Sequence, residues 1–137
     1  MQSGARLRSV SRCVLDASAI LAVLLQEPGH EKLTAALLSE AVASTVNLAE
    51  VQTKLVRRGG APDEAWSDAV SVIRELVAFD EEQARRAGGL VAQTQSLGLS
   101  LGDRACLALG VTLRSPIYSA DRSWKRLSVG VPIHIIR

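Results

Sequence analysis

Short apolar segments alternate along this chain with longer segments in which apolar residues recur at the spacing of an α-helix. The apolar segments predict five strands, at about residues 13–15, 41–43, 76–79, 116–119 and 131–136. The longer segments predict helices at about residues 18–26, 30–39, 46–58, 62–75, 81–97, 101–113 and 122–127. Helices between consecutive strands are typical of right-handed crossovers in a parallel sheet. The pattern therefore predicts a three-layer α/β domain, with a mostly parallel central sheet flanked by helices.

Four acidic residues lie where an apolar stretch ends and a helical pattern begins: Asp16, Glu50, Asp103 and Asp121. In a parallel α/β sheet, the strand-to-helix junctions all emerge outside the carboxyl ends of the strands. We therefore expect the four carboxylates to share one acidic pocket. Like charges at close range repel and raise each other's pKa unless a cation compensates them. A set of oxygen ligands favours Mg²⁺ or Mn²⁺ over Zn²⁺ as that cation.

Each of these acids also has a purely structural interpretation. Asp16 and Asp121 are typical helix N-caps, and residues 47–50 and 100–103 both have the spacing of a capping box. Carboxylates at helix N-termini are favoured by the helix dipole, so capping alone accounts for each acid taken singly. The coincidence of four such acids on one sheet edge favours the metal site.

Three further polar residues adjoin these positions. Asp80 also ends an apolar segment and is interpreted first as a helix cap, with a peripheral role in the site as the lesser alternative. Ser18 and Ser119 each lie two residues from a key aspartate and are candidates to hydrogen-bond and orient its carboxylate. As turn or cap residues they would need no such function.

Length and composition indicate one domain in a reducing compartment. The 137 residues suffice for a single core, predicted to span residues 11–137 after a basic, poorly ordered segment at 1–10. Cys13 and Cys106 show no metal or disulfide spacing, and His30 and His134 are isolated. No stretch reaches the ~18 apolar residues that a membrane span requires. We expect a cytoplasmic protein with two buried thiols.

Net charge is only +2, but 13 of the 16 basic residues are arginine. Arginine suits bidentate contact with phosphate, although the same bias is common in proteins from GC-rich genomes. Aromatic residues make up only 3% of the chain, which disfavours aromatic platforms for stacking nucleic-acid bases.

Four segments together resemble the motif blocks of the PIN-domain family. They are VLDASAILAVLLQEPG, STVNLAEVQTKL, LGLSLGDRACLALG and YSADRSWKRL, which occur in this order across nearly the whole chain. The nearest resemblance is to the VapC-type toxins of bacterial toxin–antitoxin pairs. It implies a Rossmann-like sheet and an endoribonuclease dependent on Mg²⁺ or Mn²⁺ that hydrolyses RNA by metal-activated water, leaving a 5′-phosphate and a 3′-hydroxyl. It also implies a homodimer and an antitoxin whose C-terminal segment occludes the active site.

The family's acidic residues match Asp16, Glu50, Asp103 and Asp121 here, and Ser119 stands where many relatives carry threonine. On this basis Asp16 and Asp103 are expected to bind the principal metal, and Glu50 to bind it directly or through water. Asp121 is expected to complete the site or to help hold a second ion when substrate arrives.

Several basic residues are candidates to contact RNA phosphates. Arg104, Arg122 and Lys125 lie close to the acidic motifs, and the arginine pairs at 57–58 and 85–86 are further candidates. For all of them a solvated position on a helix face is an equally good interpretation.

Two other functions compete with the nuclease. One is a catalytically silent PIN-fold module that binds a metal or a partner, disfavoured because all four acids are present. The other is a phosphotransfer domain with Asp16 as nucleophile, disfavoured because Ser18 breaks the required Asp-x-Asp spacing. The amphipathic segments 30–39 and 62–75 could receive a partner helix, although most of their apolar residues are expected to pack in the core.

Overall fold

The computed structural model describes residues 11–137, so the predicted basic segment at 1–10 lies outside the described residues. Five strands are present: β1 Cys13–Leu15, β2 Ala41–Ser44, β3 Glu75–Val77, β4 Ile117–Ser119 and β5 Ile133–Ile135. The α-helices are α1 Ala17–Leu25, α2 Ala35–Leu38, α3 Thr45–Arg57, α4 Pro62–Ser71, α5 Glu81–Gly89, α6 Val91–Thr94 and α7 Leu101–Leu113. Short 3-10 helices occupy His30–Lys32, Gln95–Leu97 and Arg122–Arg126.

The five strands form one sheet in the order β3-β2-β1-β4-β5, and all of its pairings are parallel. Because the chain moves outward from β1 in one direction and then returns to add β4 on its other side, the order reverses between β1 and β4. Ligands of open α/β sheets bind at such a reversal, outside the carboxyl ends of the strands. The predicted parallel α/β sheet is confirmed, and its topology singles out the ends of β1 and β4.

Helices cover both faces of the sheet, which confirms the predicted three layers. Successive residues of a strand point to opposite faces, so Val14 and Leu15 of β1 enter different apolar cores. Leu15 packs in the core that includes residues of α1, α3 and α4. Val14 packs in the second core with residues of α7 and with the fully buried Trp124.

Glycine is required where the chain leaves α1. Gln26 ends the helix in the left-handed region with φ 54°, and Gly29 follows with φ 94°. A Cβ at Gly29 would collide with the carbonyl of Ile136, so only glycine fits between this turn and the segment that follows β5. The turn thereby holds the end of α1 against the last residues of the chain.

Two predicted helices are divided in the structure. Segment 30–39 forms the 3-10 helix and then α2, because the Thr34 side chain accepts a hydrogen bond from the Leu37 N–H and starts a new helix. Segment 81–97 divides after Gly88 and Gly89, since glycine pairs weaken a helix interior. Within residues 11–137 no helix is long and apolar enough to cross a membrane.

Candidate active site

Asp16 is the most constrained acid at the carboxyl edge of the sheet. It follows β1 directly, caps α1, and is only 4% exposed. Its Oδ1 accepts hydrogen bonds from the Ser18 hydroxyl at 2.7 Å and from the Ala19 N–H at 2.8 Å. Its Oδ2 accepts one from the Ser119 hydroxyl at 2.6 Å. The predicted cap is confirmed, and it is embedded in a wider network.

Ser18 and Ser119 join the ends of β1 and β4. The Ser18 hydroxyl oxygen also accepts a hydrogen bond from the Ala120 N–H at 2.9 Å, and that of Ser119 accepts one from the Asp121 N–H at 3.0 Å. Both serines thus bind the Asp16 carboxylate and the backbone that follows β4. Between the two interpretations of these serines, the contacts favour orientation of the carboxylate.

The burial of Asp16 disfavours its charged form and raises its pKa to about 6. The hydrogen bonds from Ser119, Ser18 and the Ala19 N–H favour the charged form and lower the pKa in part, whereas the nearby charge of Asp103 raises it further. Asp16 is therefore a carboxylate whose charge is costly unless a positive charge is added beside it.

Glu50 lies within helix α3 and does not open it. The N-cap is Ser44, whose hydroxyl accepts a hydrogen bond from the Val46 N–H, so the predicted capping box at 47–50 is wrong. The strand β2 leads straight into α3, which places the helix start three residues earlier than Asn47. Glu50 instead reaches the carboxyl edge from the second turn of the helix.

Asn47 holds Glu50 in place, a role that sequence reasoning missed. Its side-chain amide is buried and donates to Glu50 Oε1 at 2.9 Å and to the Gly102 carbonyl at 3.0 Å. Residues three apart share a helix face, so the Asn47–Glu50 pair was visible in the spacing and was interpreted as a cap. The contact to Gly102 joins α3 to α7 and could not be read from the sequence.

Gly102 lets helix α7 approach Glu50. A Cβ at this position would overlap the Glu50 carboxylate, so a larger residue would displace it. The next residue, Asp103, forms the predicted capping box: the Ser100 hydroxyl accepts from the Asp103 N–H at 3.1 Å, and Asp103 Oδ2 accepts from the Ser100 N–H at 3.0 Å. That box is confirmed, although α7 follows a 3-10 helix and no strand.

The pKa values of Glu50 and Cys106 respond to the charges of neighbouring acids. The pKa of Glu50 is raised, first by burial and also by the charge of Asp103, against the lowering effects of Asn47 and Lys54. The pKa of the fully buried Cys106 thiol is raised well above its ordinary value by burial and by the charges of Asp16, Asp103 and Glu50. These three carboxylates therefore lie near enough to Cys106 of α7 for their charges to act on its thiol.

Asp121 lies at the exposed rim. It caps the 3-10 helix that follows β4, and its Oδ1 accepts from the Ser123 N–H at 2.9 Å and from the Ser123 hydroxyl at 2.7 Å. Its link to the centre is the hydrogen bond from its N–H to Ser119. The structure thus attaches Asp121 to the site through Ser119 and keeps its carboxylate at the surface.

Asp16, Glu50 and Asp103 offer carboxylate oxygens, the donor type that suits a hard divalent cation. Across residues 11–137, no three His, Cys, Asp or Glu side chains are already arranged to hold a metal ion. Glu50 Oε1 and Asp103 Oδ2 each accept a hydrogen bond from a neighbour, and both side chains are half-buried. A cation held by all three carboxylates would therefore require these side chains to rearrange.

The predicted basic contacts occupy different environments. Arg104 donates from Nη1 to the Ala87 carbonyl at 2.9 Å and has its Nε buried, so it ties α7 to α5. Arg122 and Lys125 are exposed on the 3-10 helix that Asp121 caps. Asp80 caps α5, as first interpreted.

The sequence of residues 13–130 matches the family model of the PIN domain. This chain belongs to the PIN domain family. The family inferred from the four motif segments is thereby confirmed over most of the chain. Among curated proteins, none matches the sequence significantly.

Solved structures share this PIN fold. DNA-bound VapBC from Salmonella typhimurium is 15% identical, with a TM-score of 0.70 over 93% of this chain and 99% of that chain. VapC20 from Mycobacterium tuberculosis is 19% identical, with a TM-score of 0.68 over 88% and 99%. VapBC2 from Rickettsia felis, bound to a promoter DNA fragment, is 16% identical, with a TM-score of 0.68 over 91% and 98%. At these identities the likeness establishes the fold.

Proposed function

We propose that this PIN-domain protein is an endoribonuclease dependent on Mg²⁺ or Mn²⁺ and acts as the toxin of a toxin–antitoxin pair. The observation that carries the proposal is the buried Asp16 carboxylate where the strand order reverses, with the charge of Asp103 acting on both Asp16 and Glu50. A nuclease role is supported by a neighbour of the same fold, since VapC20 of Mycobacterium tuberculosis is a sarcin–ricin loop cleaving toxin.

Asp16 and Asp103 would hold the cation, with Glu50 binding directly or through water. A bound divalent cation lowers the pKa of a water molecule for attack on phosphorus and offsets the charge that develops on the phosphate. The hydroxyls of Ser18 and Ser119 hold both oxygens of Asp16 in a fixed orientation. Asn47 performs the corresponding task for Glu50.

Asp121 would complete the site or help hold a second ion when RNA is present, because its exposed position allows contact with substrate. Arg122 and Lys125, on the same exposed segment, would contact the RNA backbone. Arg104 would act mainly by fixing α7, since its guanidinium is tied to the Ala87 carbonyl. It therefore ranks below the other two as a phosphate contact.

The proposed partners are an antitoxin and a second copy of the chain. Several neighbours of this fold are VapBC complexes from toxin–antitoxin systems. An open apolar groove of about 660 Å³, lined in part by Val23, Leu24, Leu38, Val72 and Ile73, lies between α1, α2 and the end of α4. Such a groove suits the apolar face of a helix. Mass measurement of the protein alone and with the product of the adjacent gene tests both assemblies.

The test of the nuclease is hydrolysis of RNA by purified protein with Mg²⁺, with Mn²⁺ or with EDTA. We expect cleavage only with the cations, and ends that carry 5′-phosphate and 3′-hydroxyl groups when the products are sequenced. Asp103→Asn should lower the rate more than about a hundredfold, because a metal ligand supplies several kcal/mol. Asp68→Asn, the same change at an exposed position of α4, is the matched control. Metal binding without cleavage by wild-type protein would favour the silent binding module.

A further inference from the structure

A cleft of about 340 Å³ opens beside the acidic site, between helices α1 and α3. Ser18, Leu21 and Leu25 contribute one wall from a single face of α1. Lys54 and Arg58 contribute the opposite wall from α3 and its C-cap. The cleft thus has an apolar side and a basic side.

The basic side continues the helix face that carries Glu50. Glu50, Lys54 and Arg58 recur every four residues, so they lie along one stripe. The rise of an α-helix places Lys54 and Arg58 roughly 6 and 12 Å along the axis from Glu50. Lys54 is four residues from Glu50 on this helix, so the two side chains are neighbours, and the charge of Lys54 acts to lower the raised pKa of Glu50.

The opposite wall also leads to the acidic site. Ser18 lines the cleft, and its hydroxyl donates to Asp16 at 2.7 Å. The cleft therefore adjoins Asp16 through the Ser18 hydroxyl, and its basic wall continues the helix face that carries Glu50.

The lining of the cleft is positively charged. The side chains that line it include Lys54, Arg58 and Arg137 and one acidic residue, Glu27, whose Oε1 lies 3.7 Å from Arg137 Nη2. Among the residues that the structure describes, Lys54 and Arg58 form no salt bridge. Two cations are therefore available for a ligand without breaking an existing ion pair.

We propose that this cleft binds backbone phosphates of the RNA strand next to the phosphate that is cleaved. The inference rests on the proposed ribonuclease function. The acidic centre alone repels a polyanion, and cations on one side of it would draw the strand across the centre in one direction. Two cations spaced along one stripe match the repeating phosphates of a strand better than a single carboxylate of a protein partner.

The test compares Lys54→Gln/Arg58→Gln with Lys32→Gln/Arg74→Gln. The control pair carries the same reduction of charge at exposed positions that do not line the cleft. Binding of a fluorescent single-stranded RNA is measured by anisotropy in EDTA, without hydrolysis, over a series of NaCl concentrations. Thermal melting of each variant verifies that it is folded.

For the Lys54/Arg58 variant, we expect weaker binding and a slope of log K against log salt that is shallower by about 1.4, because each phosphate neutralised on a single strand contributes ~0.7 to that slope. Binding by the control pair should match wild type. Equal RNA binding by both variants would overturn the proposal. So would unchanged RNA binding with weaker affinity for an acidic peptide, which would assign the cleft to a protein partner.

Cleavage is measured separately with Mg²⁺, so that the two proposals can fail independently. If wild type cleaves no RNA but binds it more tightly than the Lys54/Arg58 variant does, the nuclease proposal is refuted and the phosphate-binding cleft still stands. Metal-dependent cleavage with an unchanged KM in the Lys54/Arg58 variant would refute the subsite alone.

Discussion

Two aspartates follow neighbouring parallel strands and cap the helix that comes next, yet their surroundings differ. Asp16, after β1, is 4% exposed and accepts hydrogen bonds from three residues, one of them 103 positions away in the sequence. Asp121, after β4, is exposed and accepts hydrogen bonds only from Ser123 among the described residues. One junction combines local and distant contacts, and the other is local.

The contrast between Asp16 and Asp121 shows which of these features a helix cap requires and which it does not. A cap requires one or two nearby N–H groups and no burial, as Asp121 demonstrates. Burial raises the pKa of Asp16 to about 6, so the charged form is destabilised at neutral pH by about 3 kcal/mol. Capping a helix does not require this destabilisation of the charged form. Burial together with hydrogen bonds from two serines therefore distinguishes Asp16 from a purely local cap and supports the proposed metal site.

The largest expected effect comes from removing the charge at each junction. Asp16→Asn should lower RNA cleavage by more than about a thousandfold, since a metal ligand supplies several kcal/mol. Asp121→Asn should lower it by roughly 10- to 100-fold, the range typical of residues that support a metal site. Single-turnover cleavage rates and calorimetric Mn²⁺ affinities measure the contrast. Equal reductions in both variants would remove the distinction between the two junctions.

The pH dependence of stability is the next largest effect. Because the pKa of Asp16 is higher in the folded state than its ordinary 3.8, its favourable contribution is complete below about pH 3.8 and is lost as pH rises through about 6. In EDTA, the free energy of unfolding should therefore fall by about 2 kcal/mol more in wild type than in Asp16→Asn between pH 4 and pH 7, because part of the full ~3 kcal/mol is already lost at pH 4. Urea titrations measure this difference. A flat wild-type profile would contradict the burial argument.

The smallest effect concerns the serines that bind the two carboxylates. Ser119→Ala removes a buried donor to Asp16 and should cost about 1–2 kcal/mol of stability and ~10-fold in Mn²⁺ affinity. Ser123→Ala, at the Asp121 junction, should change stability by less than about 0.5 kcal/mol, because its N–H remains as a donor. Ser119→Thr retains the hydroxyl and should restore Mn²⁺ affinity. If it binds Mn²⁺ as weakly as Ser119→Ala does, the hydroxyl is not what orients Asp16.

Much of the fold could be predicted because the periodicities were clear. The strands before Asp16 and Asp121 and the capping box from Ser100 to Asp103 all occur as expected. The position of Glu50 was misjudged because β2 passes into α3 with no intervening loop, and Ser44 takes the cap. Local patterns do not distinguish between two polar residues that could each start the helix.

The groupings of residues were harder to anticipate. From the sequence, Asn47 was interpreted only as a helix cap. In the structure its amide donates a hydrogen bond to the Gly102 carbonyl, 55 positions along the sequence. Arg104 was a candidate phosphate contact, but its guanidinium donates a hydrogen bond to the Ala87 carbonyl in the structure. In both cases the deciding partner belongs to another helix, and spacing within one helix carries no information about it.

The sequence by itself determined the parallel α/β class, the family and the four acids, because apolar periodicity and motif order are properties of local segments. The tertiary structure alone decided that Asp16 is buried, that Glu50 and Asp103 share its electrostatic surroundings, and that Asp121 stays at the rim. It also decided that Lys54 and Arg58 line a cleft leading to that centre. Burial and charge coupling depend on distances between elements far apart in the chain, and those distances are set only when the sheet and its helices pack together.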